Sequence, residues 1–228
     1  MRDQIKDENY FNIFIQESED RIKLLSEKLN NGEIAADREE FIKSLINYTQ
    51  IDKIKARYSR GDALEPIRTE FMGVLEAWEK IYEQDTYDKT LQIVSLMVLL
   101  RVPEEMFSKV SIMYNNSDKY SDWLLEYLLT NRKDDRTVLK SELWDTKSFA
   151  ELKSMIEENS VSSSSIKKYL SRWYSHGRSC GWYDSHKSKA NAYAGYWSFE
   201  AGAIAKIFGI DDESIKDHKY YPYDLVHF

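Results

Sequence analysis

His176, Cys180, Asp184 and His186 are the one cluster of metal-capable side chains that stands close together in the sequence. His176 and Cys180 are four apart and would share a helix face. With His186, and Asp184 as an acidic fourth ligand, they form a donor set of the kind zinc accepts. Gly177 and Gly181 interrupt the helix that would align them, however, and the spacing matches no zinc signature. The expectation is therefore no bound metal, with Cys180 an ordinary half-buried thiol. A second concentration closes the chain as DHKYYPYDLVHF, with Asp217, His218, Asp224 and His227 among three tyrosines. A hydrolase needs a nucleophile and a base held by a third group. The chain has no Gly-x-Ser-x-Gly, no His-Glu-x-x-His, no phosphate loop and no Gly-x-Gly-x-x-Gly. No catalytic residue and no cofactor are expected. The enzyme alternative centres on Asp184, His186, Asp217 and His218, and requires those side chains to converge around a pocket.

The elements that must position these residues read as helices throughout. Tyr10, Phe14, Ile22, Leu25 and Leu29 recur at helical spacing and stop at Asn30-Asn31-Gly32, a C-cap signal. A second helix is predicted from about Asp37 to Tyr58, ending at Ser59-Arg60-Gly61. The tripeptide Arg60-Gly61-Asp62 invites an adhesion reading, but Gly61 is expected to end one helix and Asp62, in a capping box with Glu65, to start the next. That third helix carries Ile67, Phe71, Val74, Leu75, Trp78, Ile81 and Tyr82. Leu91 to Leu100 is apolar nearly all round and reads as a short buried helix. Pro103 opens another, and Trp123 to about Asn131 forms one more. Arg132 to Arg136 reads as an exposed charged loop. Helices follow over Phe149–Ile156 and Ile166–Tyr174, the latter capped by a serine run. A last long helix is predicted from Gly195 to Phe208. The fold class is all-α: about nine to eleven helices in two closely packed halves, 1–115 and 118–228, parted at Asn115-Asn116-Ser117-Asp118.

Composition agrees. The 228 residues are 42% hydrophobic and carry only 8 Gly and 3 Pro, too few turn-formers for a sandwich or barrel. A net charge of −7 argues against direct binding to nucleic acid, which needs clustered Lys and Arg, and suits a basic protein partner instead. The stretch Ile93–Leu100 is too short to span a bilayer. A single cysteine excludes an internal disulfide framework, and MRDQIKDENYF lacks the apolar core of a secretory signal. The expected setting is reduced and cytoplasmic.

In the tail, Gly209 should end the long helix, Asp211 cap a short turn, and Tyr220, Tyr221 and Tyr223 around Pro222 pack an extended segment onto the core. This makes the tail a structural clasp. The same residues carry a resemblance: AGYWSFEAGAIAKIFGIDDESIKDHKYYPYDLVHF, with WYDSHK upstream, closely resembles the C-terminal domain of PoNi immunity proteins. MRDQIKDENYF, KARYSRGD and the IRTEF helix are similar, in that order, to the family's N-terminal domain. The resemblance implies a bacterial, cytoplasmic, all-helical and non-catalytic antidote to a PoNe toxin, a DNase of PD-(D/E)xK type. The implied partner is that basic toxin; the chain is also free to form a homodimer.

Two roles are then separated. Trp182, Tyr183, His186, Trp197, Glu200, Asp217, His218, Tyr220, Tyr221, Pro222, Tyr223 and Asp224 are expected to hold the C-terminal fold. Glu200 is read as a partly buried acid, one turn from Trp197 on the same helix and satisfied by a Tyr or His. Toxin contact is expected on exposed acids: Asp134, Asp135, Asp184, Asp211, Asp212 and Glu213. The remaining alternative is a helical scaffold without a toxin, which predicts a large apolar surface patch.

Overall fold

The computed structural model describes residues 1–82, 86–117, 119–120, 122–130 and 140–228. The described residues form ten α-helices joined by short 3₁₀ turns and loops, with no strand. They divide into two compact units, each built from two separate stretches of the chain. One comprises Met1–Lys89 with Asp184–Gly195; the other comprises Thr90–Tyr183 with Tyr196–Phe228.

In the first unit, α1 (Glu8–Asn30) begins at Asp7, whose carboxylate accepts the Tyr10 N–H. Helix α2 (Glu39–Arg60) runs back antiparallel to it: Lys53 meets Glu19 at 3.4 Å, and Arg60 donates to Asn12 at 2.8 Å. Phe11, Phe14 and Ile15 of α1 and Ile51, Ile54 and Tyr58 of α2 are buried. Helix α3 (Leu64–Trp78) adds Ile67, Phe71, Val74, Leu75 and Trp78 to this core; it ends short of the expected Ile81 and Tyr82, which are buried in the turn that follows. Gly61 ends α2 at φ 104°, and a side chain there would also meet the Met1 backbone at 3.1 Å. The expected Asp62 capping box is absent; α3 starts at Ala63 without a side-chain cap. Asp62 instead takes Arg57 at 2.9 Å and Arg60 at 2.8 Å, and Arg57 also reaches Glu70. Charge-assisted pairing to two guanidinium groups outcompetes a single cap bond.

The same unit holds the strap Asp184–Gly195. Tyr193 donates its hydroxyl to Asp3 Oδ2 at 2.5 Å, while its N–H donates to the Tyr10 hydroxyl. Ser59 Oγ donates to the Ala194 carbonyl at 2.8 Å, and Asn191 donates to Glu17 at 2.9 Å. The residues MRD and KARYSRGD are thus tied together locally. Arg2 donates to the carbonyls of Tyr58 and Asp62, and its guanidinium lies over the Tyr58 ring at 4.7 Å.

The chain passes into the second unit within α4 (Tyr87–Leu99); residues Ile93 to Leu99 of the helix and Leu100 just beyond it are all buried, as an all-round apolar run requires. Helix α5 (Glu104–Asn116) follows Pro103, and α6 (Trp123–Thr130) is entered through Asp122. The fully buried Asp122 carboxylate accepts the Leu125 N–H and the Trp144 N–H, both at 2.7 Å. Helix α7 (Thr146–Glu157) is capped by Asp145, and α8 (Ser163–His176) by a reciprocal Ser162–Ser165 box, the serine-run cap the sequence suggests. Helix α9 (Phe199–Phe208) ends at Gly209, φ 57°, and α10 (Tyr223–Val226) is one short turn. The predicted start of α9 at Gly195 is four residues early. Gly195 sits at φ 118°, and the Ser198 N–H donates to the Tyr220 carbonyl. That tertiary bond holds an extended lead-in where helical propensity alone would have continued the helix.

Candidate functional site

Four of the residues expected to hold the C-terminal fold, Trp182, Tyr183, Glu200 and Tyr220, contact α8. Tyr169 and Trp173 stand four apart on one helix face and both aim at Glu200 on α9. Glu200 Oε1 accepts from Tyr169 at 2.8 Å, from Trp173 Nε1 at 2.6 Å and from Ser198 Oγ at 2.7 Å. The carboxylate is buried, and burial pushes its pKa above the ordinary 4.5; the three donors pull it down without cancelling that rise. The expected Tyr partner is present. The sequence reading missed Trp173 and Ser198, and their signal was available: Trp173 lies one turn from Tyr169, and Ser198 two residues before Glu200. Trp197 is buried but precedes α9, so it does not share a helix with Glu200 as expected.

Around this acid the aromatic rings interlock. Trp182 stacks on Trp173 at 4.8 Å with planes 12° apart, Tyr183 lies 4.7 Å from Tyr174, and Tyr174 stacks on Tyr220. Trp182 fits only because position 177 is glycine; a β-carbon there would fall 2.2 Å from its six-membered ring. His186 lies edge-on to Tyr193 in the first unit.

The tail packs back against α9. Tyr220, Tyr221 and Pro222 are buried, while Asp217 and Asp224 are exposed. Pro222 packs on Gly202 so closely that a β-carbon there would stand 2.5 Å from its ring. Lys206 threads between α4 and α10, donating to the Leu99 carbonyl at 2.9 Å and the Leu225 carbonyl at 3.0 Å. The His218 ring is half-buried against Tyr220, and its Nδ1 accepts the Tyr220 N–H at 3.4 Å. Burial, with Lys219 and Lys167 nearby, lowers its pKa below 6.5, which favours the neutral ring.

The acids expected to be exposed divide. Asp134 and Asp135 lie outside the described residues. Asp211 is exposed and accepts the Glu213 N–H at 3.4 Å; the expected turn forms over Glu213–Ile215. Glu213 is exposed, paired with Lys216, and accepts the Tyr223 hydroxyl at 3.0 Å. Asp184 is half-exposed at φ 59° and pairs with Lys187 at 3.0 Å. Asp212 corrects the expectation of exposure. It is 2% exposed, takes the Tyr221 hydroxyl at 2.6 Å, and pairs with His227 Nε2 at 2.8 Å. A buried acid held by a tyrosine and a half-exposed histidine is packed inside the tail, out of reach of a partner.

The enzyme alternative called for Asp184, His186, Asp217 and His218 to converge; the first two belong to one compact unit and the last two to the other. Among the described residues, no three His, Cys, Asp or Glu side chains are placed to share a metal ion. No described helix is long and apolar enough to cross a membrane.

Comparison with known proteins places this architecture. Residues 2–112 match the family described as PoNe immunity protein (PoNi), N-terminal, and residues 120–225 match PoNe immunity proteins (PoNi), C-terminal. Among curated proteins none matches significantly. Among solved structures, the chain is similar to protein PA2201 from Pseudomonas aeruginosa, with a TM-score of 0.76 and 18% identity, covering 99% of this chain and 89% of that one. At that identity the likeness is one of fold.

Proposed function

This chain belongs to the PoNe immunity proteins, and on that premise we propose that it binds a PoNe toxin that is a DNase of PD-(D/E)xK type and keeps it from the producer's DNA. The observation that carries the reading is the match to both family domains, in order, across nearly the whole chain. The border between these sequence modules is proposed at residues 115–118. The role is inhibition by binding, in the cytoplasm, without catalysis. A nuclease must present a basic cleft to phosphates, and an inhibitor with net charge −7 is attracted by that same field. Covering the cleft denies DNA access whether or not the catalytic residues are touched. Of the acids singled out from the sequence, Asp184, Asp211 and Glu213 stay in the proposal as rim contacts, because they are at least partly exposed. Rim charges act more on association rate than on final affinity.

The test is co-purification with the PoNe toxin encoded beside this gene, followed by DNA cleavage with and without the chain. A stable complex and intact DNA are the expected result. An active nuclease that neither binds the chain nor is slowed by it would refute the proposal.

A further inference from the structure

Most of the negative charge lies away from the acids just described. Residues 1–89 contain twenty Asp and Glu against fourteen Lys and Arg, whereas residues 90–228 contain nineteen against eighteen. Within that acidic segment, α1 turns a mixed face to solvent. Ile13, Glu17, Asp20 and Leu24 follow one another at spacings of three and four, so they form one line along the helix. Ile13 is 44% exposed and Leu24 52%, on a helix whose opposite side already buries Phe11, Phe14 and Ile15. Glu17 and Asp20 stand between these two aliphatic side chains. Glu17 meets the Asn191 amide at 2.9 Å and Asp20 the Gln16 amide at 3.1 Å; neither forms an ion pair among the described residues. Glu213 and Asp184, by contrast, are each paired with a lysine three positions along. Arg21 and Lys23 lie on the flanks, roughly 80° round the helix from Ile13.

We infer that this face of α1, centred on Ile13, Glu17, Asp20 and Leu24, is where the basic toxin docks. The inference rests on the immunity reading and adds the surface to it. Charge decides the occupant. A second copy of the chain carries the same net charge of −7 and is repelled by the field that attracts a basic partner. A cationic partner supplies what the two carboxylates lack, and the flanking aliphatic groups exclude water from the pairs so formed. Asn191, on the strap Asp184–Gly195, already holds Glu17 in place from the side.

The experiment titrates the wild-type chain and three double variants against the catalytically inactive PoNe toxin encoded beside this gene. Ile13→Ala with Leu24→Ala, and Glu17→Lys with Asp20→Lys, should each weaken binding about ten-fold or more. The charge-reversed pair should also flatten the salt dependence of the association rate. Glu76→Lys with Glu79→Lys, at exposed acids of and just after α3 that have no part in the proposed contact, should stay within about two-fold of wild type. All four altered α1 positions are exposed, and an unchanged helical circular dichroism signal establishes that the fold is kept. If the wild type binds while both α1 variants bind equally well, immunity stands and this face is not the docking site. If the wild type itself does not bind, the immunity reading falls and takes this inference with it.

Discussion

Replacing Glu200 tests the internal logic of the C-terminal unit most sharply. Glu200→Ala removes one acceptor and strands three donors, the Tyr169 hydroxyl, the Trp173 indole N–H and the Ser198 hydroxyl. Each buried donor left without a partner costs about 1–3 kcal/mol, partly offset because a buried carboxylate no longer has to be desolvated. The net loss should be about 3 kcal/mol or more, a large share of the 5–15 kcal/mol typical of folded domains. At about 2–4 °C per kcal/mol for a chain of this size, thermal unfolding should fall by roughly 10 °C. Glu200→Gln keeps an oxygen acceptor and discards the charge, so it should cost much less. The pH dependence separates the two effects. Because burial raises the folded-state pKa of Glu200 above 4.5, its favourable contribution is complete below that value and is lost as pH rises through the elevated pKa. Glu200→Gln should therefore compare better with wild type at pH 8 than at pH 5. Unfolding followed by circular dichroism and tryptophan emission at both values measures this. A Glu200→Ala protein within 1 kcal/mol of wild type, or a Glu200→Gln penalty that grows with pH, would refute the reasoning.

Three further outcomes follow from the geometry. Gly177→Ala should drive Trp182 off Trp173 and destabilise the second unit by about 1–3 kcal/mol, seen as a red-shifted tryptophan emission; an unchanged spectrum would contradict the close seat. Asp212→Ala should free the tail by stranding the Tyr221 hydroxyl, so that hydrogen exchange over Tyr220–Val226 rises while the first unit stays protected. Burial works to raise the Asp62 pKa, but Arg60 and Arg57 prevail and hold it below 3.8. Its stabilisation is thus present above that value and lost as pH falls through the depressed one, so Asp62→Asn should narrow the gap in stability between pH 7 and pH 3, measured by thermal unfolding.

Several features follow from local rules that the sequence displays directly. The all-α class, the buried run from Ile93 to Leu100, the Gly61 and Gly209 helix ends and the serine cap of α8 each depend on residues within one or two turns. The family match could be read for the same reason, since its motifs are contiguous strings. Tertiary structure alone decided the rest. The lead-in to α9 stayed extended because the Tyr220 carbonyl claimed the Ser198 N–H. Asp212 looked as solvent-facing as Asp211, yet a tyrosine and a histidine nine and fifteen residues on enclose it. Strap residues 184–195, written in the C-terminal half, fold into the unit of residues 1–89 because Asp3, Tyr10 and Ser59 hold hydrogen-bond partners for them. Helical period and caps are set by neighbours along the chain; which carboxylate is buried, paired or left for a partner depends on groups brought close only by folding.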